Sequence, residues 1–102
     1  MADTDIVVDV ADVVDDKIKE PGKYKVLVYN DDVTTVEFVM EMLVTVFKHN
    51  ETSAFDLTVK IHNEGKAVAG IYRHEVAEQK VLDATNMSRA HDFPLVIRML
   101  PE

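Results

Sequence analysis

The residues whose types and positions could do chemistry are Asn30 and Asp31, an amide beside a carboxylate at the end of an apolar run, and His62, an imidazole set among apolar residues. Asp31 and His62 could serve as an acid and base pair. Each of the three also has a plainer reading: Asn and Asp are ordinary turn residues, and a lone histidine on a helix face is often a satisfied core or boundary residue. The other histidines, His49, His74 and His91, lie far from His62 and from one another along the chain and match no helix-based metal spacing. No serine stands in a nucleophile elbow, and three glycines in 102 residues leave no glycine-rich phosphate loop. With no cysteine there is no thiolate ligand, no cysteine nucleophile and no disulfide. Catalysis and metal binding are therefore poor readings, and no cofactor is expected.

The elements that must position these residues follow from periodicity. Tyr24, Val26 and Val28 alternate with Lys25, Leu27 and Tyr29, which reads as a half-buried strand that Asn30 and Asp31 bring to a stop. Thr34 followed by Glu37 is a capping-box signature, so a helix over residues 35–48 is expected, with Val36, Val39, Met40, Leu43 and Phe47 on its apolar stripe. A second helix over 51–64 places Phe55, Val59 and His62 on one face and Leu57 and Ile61 on the next, with Gly65 as its C-cap. Lys66 to Tyr72 reads as a second strand, and its small residues suggest a helix packed closely over it. A third helix over 74–90 aligns Ala77, Val81, Ala84 and Ser88, leaving Glu75, Glu78, Lys80 and Asp83 in solvent. Pro94 to Leu100 is the last strand, with proline allowed at its first position. The expected fold is α+β, a compact sandwich of three helices against a small three-stranded sheet in the order β-α-α-β-α-β.

Length and charge bound the function. One domain with one core fits in 102 residues of which 47% are hydrophobic. Residues 24–102 should form it. Residues 1–23 hold seven acids and a β-branched apolar set, closed off by Pro21-Gly22, and read as a flexible acidic extension or as a helix that docks only on a partner. A net charge of -8 disfavours nucleic acid and anionic membrane as partners and favours positively charged ligands. The acidic start and the lack of a long apolar run point to an untargeted, cytoplasmic protein.

Three stretches together resemble a family. Tyr24 to Asp32 with Thr34 and Glu37-Phe38-Val39, then Val59 to Ala67, then Glu75 to Val81 closed by Pro94-Leu95, are similar in order and spacing to ClpS, the adaptors of the ATP-dependent Clp protease. The resemblance implies a monomeric, non-enzymatic adaptor that recognises a destabilising N-terminal residue (leucine, phenylalanine, tyrosine or tryptophan) and hands the substrate protein to the ClpA unfoldase of ClpAP. It places Asn30, Asp31 and His62 where the family holds the free α-amino group, a role that suits three acceptors facing a three-donor ammonium. It also places Thr34, Val36, Val39, Thr58, Ile61 and Leu95 around the side-chain pocket, and Glu75, Glu78 and Lys80 on the surface for the N-terminal domain of the unfoldase. The chain departs from the family at Val36 and Thr58, where methionine is common, at Thr35, where proline is frequent, and at Arg73, where a capping residue is expected. A protein-binding module of the same fold with another ligand is the alternative, and a small hydrolase the third reading.

Overall fold

A computed structural model of the chain describes residues 22–102. The reading of residues 1–23 as an extension falls almost wholly outside them. Strand β1, Lys23–Tyr29, leads to helix α1, Val36–Thr45, and helix α2, Glu51–Glu64; β2, Lys66–Arg73, then precedes α3, His74–Ala90, and β3, Val96–Pro101. This is the expected β-α-α-β-α-β order. The sheet runs β2-β1-β3 and is antiparallel throughout.

Because β1 is central, its side chains are covered on both flanks. Val26 and Val28 face the helices and are fully buried, and Leu27 on the opposite face is nearly so, enclosed by its cross-strand neighbours. The expectation of a half-buried strand was too modest for the middle of the sheet. Met42 and Leu43 of α1, Ala77 and Ala84 of α3, and Ile97 of β3 complete the core around these valines. Ala67 and Ala69 on β2 are buried under α2, as small residues there allow.

Element ends depart from the periodic pattern at specific bonds. Thr35, not Thr34, caps α1: its hydroxyl accepts the Phe38 N–H at 3.1 Å, while the Thr34 side chain is turned to the loop, its hydroxyl donating to the Asp31 carboxylate at 2.8 Å. Helix α1 stops at Thr45 rather than 48 because Lys48 turns left-handed (φ 64°) and the His49 N–H reaches back to the Leu43 carbonyl. His49 Nε2 also bonds the Ala69 carbonyl at 2.6 Å, which fixes this turn to the sheet. Asn50 caps α2 through Ser53 N–H, and Gly65 closes it at φ 90°. Arg73 precedes α3 with no side-chain cap. The last strand starts at Val96 and not at Pro94, since the Phe93 and Leu95 carbonyls are bonded by Arg89 Nη1, each at 2.9 Å.

The faces of α2 differ in burial. Ala54, Thr58 and Ile61 are its buried side, whereas Phe55 is 54% exposed and Val59 and His62 lie in the open with it. Small side chains let α2 approach α1 closely, so the bulkier stripe is left outward.

Candidate functional site

The loop after β1 is built around Asp31. One carboxylate oxygen accepts the N–H of Val33 at 2.8 Å and of Thr34 at 2.7 Å, and the other accepts the Thr34 hydroxyl at 2.8 Å. Such a side-chain-to-backbone turn fixes both the loop and the carboxylate. Burial pushes the Asp31 carboxyl up, but the backbone and hydroxyl bonds from Thr34, the Val33 N–H and the nearby Arg89 charge together outweigh it, so its pKa lies below the ordinary 3.8. The group is an anion at neutral pH.

Asn30 is tied from behind. Its backbone N–H donates to the Gly65 carbonyl at 2.9 Å, which holds the end of β1 against the junction of α2 and β2. His62, in the last turn of α2, is brought to the same place by that bond. Among the described residues neither the Asn30 nor the His62 side chain has a hydrogen-bond partner within the chain, so both are open to a ligand.

These groups share a cavity of about 500 Å³. Its wall includes Asn30, Asp31, Thr34, Val36, Val39, Thr58, Ile61 and His62 of the residues expected from the sequence. Val39, Thr58 and Ile61 are buried and form an apolar floor, because the Thr58 hydroxyl donates to the Ala54 carbonyl at 2.7 Å and offers the cavity no free donor. Val36 stands at the rim, half exposed. Leu95 is not on the wall; it lies in the core, nearly fully buried.

The wall also holds groups that the sequence reading did not single out. Asp32 and Glu37 line it beside Asp31, so three carboxylates and no lysine or arginine surround the space. A cavity of that charge with an apolar floor suits a cation joined to an apolar group. Arg89, on α3, lies behind Asp31 and lowers its pKa. Asp32 and Glu37 were legible as neighbours of the loop, whereas nothing local marks Arg89. Among the described residues no cluster of three metal-ligating side chains forms.

The residues expected on the second surface sit on α3. Glu75 and Glu78 are exposed. Lys80 is partly buried: its ammonium donates to the Val46 carbonyl at 2.7 Å and stands 5.7 Å from the centre of the Tyr72 ring. It supplies the positive charge that the last turn of α1 lacks.

Residues 19–98 match the family of the ATP-dependent Clp protease adaptor protein ClpS. The Clp protease adapter ClpS of Acetivibrio thermocellus is 39% identical over 84 residues, covering 82% of this chain and 85% of its own length. That of Roseobacter denitrificans is 42% identical over 86 residues, covering 84% of this chain and 76% of its own length. Among solved structures, Agrobacterium tumefaciens ClpS2 bound to L-phenylalaninamide superposes with a TM-score of 0.79 at 35% identity, covering 81% of this chain and 100% of that one. On this breadth of agreement, the chain belongs to the ClpS family of Clp protease adaptor proteins.

Proposed function

We propose that the cavity binds the first residue of a protein chain, its α-ammonium against Asn30, Asp31 and His62 and its side chain on Val39, Thr58 and Ile61. The observation that carries this reading is the pairing of an apolar floor with a fixed, ionised carboxylate in a wall that holds no cation. L-phenylalaninamide, bound by the related ClpS2, has that composition: a free amine, an amide in place of the continuing chain and an aromatic side chain. Delivery then falls to the surface of α3, where Glu75 and Glu78, with Lys80 on the same helix, would meet the N-terminal domain of the ClpA unfoldase. The protein acts by binding alone and carries out no reaction on the substrate.

The test is anisotropy titration with labelled peptides that differ only in the first residue and its acetylation. A charge-assisted hydrogen bond contributes about 1.5–3 kcal/mol and burial of a leucine or phenylalanine side chain a similar amount, so both halves are needed for useful affinity. Acetylating a leucine-first peptide, or Asp31→Ala, is expected to weaken binding at least tenfold, since about 1.4 kcal/mol is a factor of ten. A loss below about fivefold, roughly 1 kcal/mol on the same scale, would count against this site.

A further inference from the structure

Helices α1 and α2 pack against each other, and the cavity opens between them. Its wall shows which flanks face that groove, Val36 on α1 and His62 on α2. At about 3.6 residues per turn, the flank of α1 continues through Met40 and Val44, one and two turns after Val36, and that of α2 runs back through Val59 and Phe55, one and two turns before His62. Because the cavity joins the start of α1 to the end of α2, both continuations lead away from it in the same direction. Val36, Val44, Phe55 and Val59 are 50%, 37%, 54% and 40% exposed, and Met40 is partly buried. Exposed Glu37, Glu41, Asp56 and Lys60 border the strip. Single exposed apolar residues are ordinary on a protein surface, whereas a continuous strip with a polar border marks a binding face.

A chain whose first residue fills the cavity has to continue from its mouth, and the strip is an apolar path that begins there. From Val36 to Val44 it measures about 12 Å, at about 1.5 Å per helical residue, the length of about four residues of extended chain. Successive side chains of an extended chain point to opposite sides, so the third residue falls on the same side as the first, which points between the helices. We propose that Val36, Met40, Val44, Phe55 and Val59 form a subsite for the continuing substrate chain, in which an apolar third residue packs on Met40, Phe55 and Val59. The subsite rests on the reading of the cavity proposed above and narrows its substrate class to chain ends with an apolar side chain two positions after the first. The second residue points outward, to solvent and the bordering carboxylates.

The test is anisotropy titration of the full-length chain with labelled peptides that begin with leucine and continue in serine, with one further leucine at the second or the third position. Leucine at the third position should tighten binding about fivefold over serine, the effect of half-burying one such side chain, and leucine at the second position by less than about twofold on the same scale. Phe55→Ser with Val59→Ser, two exposed positions, should remove most of the gain, and Leu82→Ser, exposed on α3, should keep it. Equal affinity for leucine and serine at the third position overturns the subsite, as does an equal gain at the second. A gain that survives in the double variant does so too, and its loss in Val33→Ser would send the chain over the loop instead. Should the double variant not fold, the two single variants decide. The same series with serine first, or with the amine acetylated, separates the two readings. Binding that depends on neither the first residue nor its amine overturns the cavity's proposed ligand and the subsite with it, while dependence on both without a preference at the third position overturns the subsite alone. Sedimentation of the free chain is the remaining arm: a dimer that the double variant dissolves would make a second copy the occupant and also overturn the subsite.

Discussion

Asp31 accepts three hydrogen bonds from its own loop, and an ionised carboxylate has about four lone-pair sites, so it is rigidly placed yet still able to accept from a ligand. Its lowered pKa links the site to folding. A carboxyl whose folded-state pKa is depressed contributes stability that is fully present above the unfolded value and is lost as pH falls through the folded one. For Asp31 the loss therefore begins near the ordinary 3.8 and continues below it. Urea unfolding of wild type and Asp31→Asn from pH 6 to pH 3 should show a wild-type advantage that holds down to about pH 5 and shrinks toward pH 3. A constant difference across the series would mean that the turn does not depend on the charge. At the rim, half-exposed Val36 leaves the mouth wide. A methionine in its place is longer and flexible at several torsions, where valine is short and fixed at χ1. Val36→Met should weaken peptides that begin with isoleucine or valine relative to leucine, because a branch at Cβ meets the narrowed mouth first. The same peptide series on both proteins checks this; unchanged ratios would place the selectivity elsewhere in the cavity.

At the scale of elements, Thr34 and Thr35 divide the work of starting α1, and they can be separated. Thr35→Ala removes the bond to the Phe38 N–H and should cost about 1 kcal/mol of stability, while Thr34→Val removes the hydroxyl bond to Asp31 and should affect binding more than folding. Denaturation midpoints and peptide affinities measured on both variants check the division, and equal effects on both readouts would refute it. At the other end of α1, Lys48 is held at φ 64°, a conformation that costs a residue with a Cβ about 1–2 kcal/mol. Part of that gain is offset by the extra freedom glycine has when unfolded. Lys48→Gly should still raise the urea midpoint. The same details explain what the sequence made legible. Helix α2 was readable to its ends because Gly65 stops it chemically and His49-Asn50 interrupts the apolar run before it. The end of α1 was not, since a lysine in a left-handed turn leaves no glycine signal. The start of β3 was hidden for a different reason, the capture of two carbonyls by Arg89 from a neighbouring helix. The apolar pattern alone did not choose the buried face of α2, because Phe55 and Val59 outweigh Ala54 and Thr58 in it, although the smaller pair is the one that is buried. For the site, turn chemistry identified Asn30 and Asp31, but the bond from Asn30 N–H to the Gly65 carbonyl that brings them to His62 is long-range. Family resemblance alone linked them beforehand.

Across the whole molecule the charges are sorted rather than mixed. The cavity wall has Asp31, Asp32 and Glu37 and no cation, Arg89 stands behind it, and the cationic residues concentrate on the outer sheet face. On the proposed function, an acidic field at the mouth would draw in the α-ammonium of a chain end and would act also on the second and third residues of a bound chain wherever they pass the same carboxylates. Groups within about 8 Å, the Debye length at physiological salt, are still felt there, and electrostatic complementarity changes association rates more than the strength of the final contacts. Peptides that begin with leucine and continue with lysine or arginine should therefore associate several times faster than those that continue with aspartate or glutamate. Their dissociation rates should differ less. Raising the salt to about 1 M shortens the Debye length to about 3 Å and should bring the two association rates together. Asp32→Asn with Glu37→Gln should do the same at low salt, removing two charges from the wall while leaving Asp31 and its hydrogen bonds in place. Stopped-flow anisotropy on the two peptides, in both proteins and at both salt concentrations, measures every arm. Association rates that stay apart at high salt, or in the neutralised variant, would mean that direct contacts of the second residue, and not the field of the wall, set the preference.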